Sequence, residues 1–121
     1  MSVKVYCDAR GQVPMADFLA EVEQKDPSTY RKFLSVVEQM KTDSLPLVRP
    51  NVKKTPPKRT GCNHLYKLRL GKYRLFFLLE DHEYLLLHAF RKSSNATPEK
   101  EFRVAKKEIA HHEFNDIESI L

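Results

Sequence analysis

Apolar and polar residues change rhythm several times along this 121-residue chain, and each change predicts an element. "VKVYCD", residues 3–8, alternates and is rich in β-formers, which predicts a first strand. "PMADFLAEVEQK", residues 14–25, puts Pro14 at a helix start and Phe18, Leu19 and Val22 at helical spacing. Asp26-Pro27 then offers an N-cap carboxylate with proline at the first helical position, so a second helix begins there. It sets Tyr30, Phe33, Leu34, Val37 and Met40 along one face and is expected to run to about Ser44. From Leu45 to Gly61 the chain reads "LPLVRPNVKKTPPKRTG", with four prolines and no helical period. This predicts a loop, longer than compact domains usually carry without a purpose. A binding loop and a plain connector both stay open.

The second half is more informative. "HLYKLRL-GK-YRLFFLLE" is a hairpin with Gly71 at the first central position of a two-residue loop, the type II′ signature. That loop length pairs Leu70 with Tyr73, Arg69 with Arg74, and Leu68 with Leu75. Because side chains alternate, Tyr66, Leu68, Leu75 and Phe77 share the core face. Arg69 and Arg74 share the other face, and both are read as solvent-facing. Facing like charges are mildly destabilising. The pair makes better sense with an anion between the two guanidinium forks, the alternative being that both splay into water. The strand "YLLLHAFRK" follows a turn around "DHE". An even loop puts Leu85, Leu87, Ala89 and Arg91 on the arginine face and His88 in the core beside Leu68 and Leu75. An odd loop reverses every assignment. The last helix is expected to start with Thr97 as N-cap and Pro98 at the first position, with Glu99 and Glu101 against the dipole. Its inner stripe is Phe102, Ala105, Ile109 and His112, with His111 on a neighbouring face. Adjacent helical residues diverge, and no carboxylate or thiol has ligand spacing, so no metal is expected.

Length limits the chain to one domain, 1–121, large enough to bury a core. No apolar run approaches the ~18–20 residues that cross a bilayer. The start "MSVKVYCDARG" turns polar too soon for a signal peptide. Cys7 and Cys62 lack CxxC spacing, and reduced thiols in a cytoplasmic protein are expected. Charge changes the picture most. The net charge is +5, and no acid stands between Asp43 and Glu80, a stretch holding Arg49, Lys53, Lys54, Lys58, Arg59, Lys67, Arg69, Lys72 and Arg74. A one-sided cationic field suits a polyanion, nucleic acid above all; a solvated basic surface is the plainer alternative.

The run "LYKLRLGKYRLFFLLEDHEYLLLHAFRKSSNATPEKEFRVAKKEIAHH" resembles the RelE/HigB-like toxins of type II toxin–antitoxin pairs, in particular the phage-related branch of the RelE/ParE superfamily. The shared pattern is "L-x-K/E-L-R", then "Y-R-hydrophobic-aromatic", then "L-L-L-H-x-F-x-K" and a "T-P" helix start. The likeness covers residues 63 to 112 well, and the N-terminal half only in the order and size of elements. It implies an α+β domain, a small antiparallel sheet mixed at its N-terminal strand, with two N-terminal helices on one face and a C-terminal helix. It also implies ribosome-dependent endonuclease cleavage of mRNA, by 2′-hydroxyl attack on the adjacent phosphate, without metal or cofactor. The implied partners are the ribosome, mRNA and a cognate antitoxin of helix-turn-helix type, with no membrane. Arg69, Arg74 and Lys92 match the family's basic positions and are the expected phosphate ligands, with Arg91 in support. Lys53, Lys54, Lys58, Arg59, Lys67 and His64 are the expected further RNA contacts. Many relatives carry an Asp-Tyr pair where this chain has His111-His112. His112 is thus the candidate for proton transfer, a cap at the helix end being the alternative. If Phe114 is the true equivalent, the site loses a member. A non-cleaving module of the same fold that binds nucleic acid or protein, and a relative that poisons a topoisomerase, are the alternative functions.

Overall fold

The predicted helix signals act where they stand in the chain. In this computed structural model, which describes all of residues 1–121 except Ser94, α1 spans Pro14–Lys25 and α2 spans Pro27–Lys41. The Asp26 carboxylate accepts from the Thr29 backbone N–H and caps α2. The helix stops short of Ser44 because the Thr42 hydroxyl donates to the Glu38 carbonyl and Asp43 turns left-handed, with φ of 55°.

The strands are β1 (Ser2–Tyr6), β2 (Val52–Lys54), β3 (Leu65–Leu70), β4 (Tyr73–Glu80), β5 (Glu83–Arg91) and β6 (Phe114–Asp116), and the last helix is α3 (Glu99–His111). They form one mixed sheet in the order β2-β3-β4-β5-β1-β6, in which, among the described residues, β1 and β5 pair in parallel and the other neighbours antiparallel. The fold is α+β. The proline-rich stretch was expected to be loop throughout, yet it contributes the edge strand β2, paired with β3 through Val52 and Leu68. The three residues of β2 are too few to show a period, and it is the buried Val52 that packs into the core.

Helices cover both faces. Phe18, Leu19, Val22, Phe33, Val37 and Met40 of α1 and α2 pack on Leu68, Leu70, Tyr73, Leu75 and Phe77. Phe102 and Ala105 of α3 pack on Leu65, Phe76, Leu78, Leu85 and Leu87 on the opposite side. The buried stripe of α3 is Phe102, Ala105 and Glu108, with Ile109 packed partly buried beside it as expected; His112 lies beyond it as the left-handed C-cap, with φ of 54°. Its start also differs from expectation: Thr97 caps nothing, and Pro98 is the N-cap residue.

The β3–β4 hairpin has the expected register, Leu70 with Tyr73, Arg69 with Arg74 and Leu68 with Leu75. Gly71 has φ of 54°, and a Cβ there would stand 3.1 Å from Thr29 Oγ1, so both the turn and the close approach of α2 require glycine. The β4–β5 loop, Asp81-His82, is even. Still, the expected assignment of β5 holds only halfway. Phe77 pairs with Leu86, but Phe76 pairs with His88, leaving Leu87 as an extra residue, a β-bulge. Beyond it every side chain changes face. His88 and Phe90 therefore stand on the arginine face. Ala89 and Arg91 go to the helix α1 side, where Arg91 lines a cleft with Asp17 and Glu21. Arg91 thus lies outside the arginine cluster, and His88 lies away from Leu68 and Leu75.

Arg74 is not solvent-facing either. It is 9% exposed, and its Nη1 donates to the carbonyls of Gly71 (3.0 Å) and Tyr73 (2.8 Å), clamping the hairpin turn. Arg69 is exposed as expected. Arg74→Ala should cost about 1–3 kcal/mol, since it removes buried hydrogen bonds from a charged donor. Arg69→Ala should change stability by less than about 0.5 kcal/mol. Chemical denaturation of both variants checks this; equal effects would contradict the clamp.

Candidate nucleic-acid interface

The face beneath α3 is zoned along the strands. At one end Leu65, Leu78 and Leu85 are buried by α3. At the other end the same alternation delivers Lys67 and Arg69 from β3, Arg74 from β4, and Lys53 from β2, opposite Lys67. The bulge adds Phe90 and, just past β5, Lys92, whose backbone N–H donates to the Lys72 carbonyl at 2.8 Å. Lys92 is thereby placed where Arg91 would otherwise point.

Three adjoining hollows line this zone, and Lys67 borders all of them. The smallest, about 60 Å³, lies among Lys67, Arg74, Phe90, Lys92 and Thr97. A second, about 140 Å³, lies among Asn51, Lys53, Lys67, Arg69 and Arg74. The third, about 340 Å³, runs past Thr55, Arg59 and Phe102. No acidic residue lines any of them among the described residues. The Lys67 ammonium donates to Thr97 Oγ1 at 2.6 Å, so the hydroxyl expected to cap α3 instead orients a lysine. Burial pushes the Lys67 pKa down, and the cations Lys53, Arg74 and Lys92 push it further. Burial and then Arg69 also act against the charge of Arg74. Cations crowded without counter-charges are costly until an anion joins them.

Of the remaining expected residues, Arg59 borders the third hollow, ion-paired to Glu99 at 3.3 Å. Lys58 is exposed on the 3₁₀ turn Pro57–Arg59. Lys54 is exposed on β2, and alternation sends it to the side opposite Lys53. His64 and His112 are elsewhere. Their Nε2 atoms bind the two oxygens of Glu80, each at 2.6 Å, at the far end of β4. Glu80 is six residues from Arg74, about 20 Å along a strand. The structure therefore does not bring His112 to the arginines. Among the described residues, no three His, Cys, Asp or Glu side chains gather as a metal site would require.

The boundary between the two zones is a polar lock that pattern reading missed. His88 sends Nδ1 to Glu108 Oε1 (2.6 Å) and Nε2 to Glu101 Oε1 (3.1 Å), all three nearly buried between β5 and α3. The signal was available: Glu101 and Glu108 sit at helical spacing around Ala105, on the stripe of Phe102. Only an imidazolium can donate through both nitrogens. Burial opposes its charge, but the hydrogen bonds and charges of Glu108 and Glu101 outweigh burial and raise the pKa above 6.5. A raised folded-state pKa gives stability that is fully present below the unfolded value, ~6.5, and is lost as pH rises through the folded one. Wild type should thus exceed His88→Gln in stability by more at pH 6 than at pH 9, measured by urea titration. A pH-independent difference would mean that the imidazolium is not what holds α3.

A family model described as phage derived protein Gp49-like (DUF891) matches residues 20–110. No curated protein matches the chain. The matched span runs from α1 almost to the end of α3 and so contains the hairpin, the bulged β5 and every cation of the groove. It covers more than half of the sequence. With the fold and the acid-free cationic zone beside it, the match leads to one conclusion: the chain belongs to the Gp49-like family of phage-derived, often toxin-like proteins, within the context of the RelE/ParE toxin superfamily.

Proposed function

We propose that this protein is the toxin of a type II toxin–antitoxin pair, an endoribonuclease that cuts mRNA on the ribosome and is held in check by an antitoxin covering its basic face. One observation carries the reading: Lys67, Arg74 and Lys92 converge on a phosphate-sized hollow lined, among the described residues, by no acid, and flanked by Arg69 and Lys53. An RNA phosphate seated there presents its non-bridging oxygens to several cations. As the 2′-hydroxyl oxygen attacks phosphorus it gives up its proton to solvent water, charge builds on those oxygens and the cations stabilise it, and the bond from phosphorus to the 5′-oxygen breaks. The departing 5′-oxygen needs a proton. Lys67 can supply it, because burial and its cationic neighbours make its ammonium a stronger acid than that of a free lysine. The products are a cyclic 2′,3′-phosphate and a 5′-hydroxyl, and DNA is spared because it lacks the nucleophile. The scheme uses no metal or cofactor. It gives proton transfer to Lys67 in place of His112, which stands at the opposite pole with Glu80.

That same distance favours a second reading, a groove that binds RNA without cutting it, if Lys67 does not move a proton. The two separate in one experiment. Induced expression in a bacterial host, with primer extension on a cellular mRNA, should show cuts inside translated frames that vanish when initiation is blocked. Lys67→Arg keeps the charge but gives up an acidic proton, and should slow cutting about 100-fold or more. Its co-sedimentation with ribosomes should stay unchanged. Arg69→Ala and Lys92→Ala should each weaken RNA binding about tenfold, as expected for one charge-assisted contact. Arrested growth with intact mRNA would overturn the nuclease reading. Full activity in Lys67→Arg would remove Lys67 from the chemistry.

A further inference from the structure

The 340 Å³ hollow beside the phosphate site has a wall that phosphate binding alone does not call for. Arg59 Cζ lies 4.6 Å from the centre of the Phe102 ring, and Arg59 Nη1 lies 3.3 Å from Glu99 Oε2. A cation meant only to attract phosphate gains little from a ring beneath it and loses field strength to a carboxylate beside it. A guanidinium held from below and from one side is instead fixed as a surface. Its side chain is still 40% exposed, so its outer side is open to the hollow it lines. The turn that carries it is braced as well: Pro56 and Pro57 restrict the backbone, and the Gly61 N–H donates to the Pro57 carbonyl at 2.6 Å.

We propose that this hollow is a nucleobase subsite, which takes the base of a single-stranded RNA nucleotide whose phosphate lies among Lys67, Arg74 and Lys92, with Arg59 as the stacking platform. Size separates the two places. The phosphate hollow is about 60 Å³, while the Arg59 hollow, about 340 Å³, falls in the range of small-molecule pockets, ~300–1,000 Å³. Contiguity joins them, since Lys67, Asn95 and Thr97 border both. Chemistry fits a base: unpaired bases stack on arginine planes and aromatic rings, and the Asn95 amide at the rim offers donors and an acceptor to a base edge. This inference rests on the RNA reading of the groove and adds to it a base-contacting residue outside the catalytic cations.

The test uses fluorescence anisotropy with two probes. One is a short single-stranded RNA, 2′-O-methylated so that it has no nucleophile; the other is the same strand with abasic sites. Wild type should bind the intact strand about tenfold more tightly than the abasic one, the gain expected from one stacked base. Arg59→Lys retains the charge and the pairing with Glu99 but loses the plane. It should lose that tenfold preference and bind the abasic strand within twofold of wild type, at an unchanged unfolding midpoint. Equal wild-type affinity for both strands, or an intact preference in Arg59→Lys, would overturn the subsite while leaving the phosphate groove standing. Failure of wild type to bind either strand would overturn the RNA reading and the subsite together.

Discussion

One extra residue in β5 organises the rest of the molecule. Leu87 is inserted between two paired positions, so Leu87 and His88 lie on the same face and everything after them is inverted relative to a regular strand. Upstream of the bulge, β5 gives Leu85 to the surface that α3 covers. Downstream it gives His88 to the Glu101–Glu108 lock, Phe90 to the boundary, and Lys92 to the cations. In a regular strand Ala89 and Arg91 would take those places. The lock would lose its imidazole, and α3 would be left with two carboxylates against an apolar face, a costly burial without a partner.

The cationic zone and the docking of α3 are therefore one arrangement. The helix covers the apolar end of the face, ends its coverage at an imidazole held by two carboxylates, and leaves the basic end open. Thr97, just before the helix, accepts from Lys67, and Phe102 within the helix lies beneath Arg59. Lysine and arginine side chains that face one another without acids are tolerated because the sheet beneath them is well packed, with Leu68, Leu75 and Phe77 fully buried on its other side. The same crowding is the feature on which the proposed binding of an RNA phosphate rests. It also acts on a proton, since the forces that disfavour charge on Lys67 are those that make its ammonium a better acid.

Much of this was legible in the sequence, for definite reasons. Prolines and an aspartate mark the starts of α1 and α2, and a glycine in a two-residue turn fixes the β3–β4 register residue by residue. That register alone pairs Arg69 with Arg74. The bulge was not legible, because nothing in "LLLHAF" distinguishes a paired leucine from an inserted one; the choice depends on contacts with α3 that pattern reading does not contain. For that reason Arg91 reads as a support to Lys92 within the arginine cluster, whereas the bulge sends it to the other face. His112 drew a chemical role from the resemblance, which sets it at the relatives' tyrosine position, but the left-handed cap at the helix end turns it toward Glu80 instead. Edge strand β2 escaped because it is three residues long and framed by prolines.

The proposed phosphate-binding face, brought together by the bulge from Lys67, Arg69, Arg74 and Lys92, leaves Arg91 and the His64–Glu80–His112 pole outside it. The most direct measurement is an NMR titration of the isotope-labelled protein with 2′-O-methylated single-stranded RNA, following arginine Hε and histidine ring resonances. Large shifts are expected at Arg69 and Arg74, with Arg91, His64 and His112 nearly unmoved. Shifts concentrated at Arg91, or at the histidines around Glu80, would contradict it.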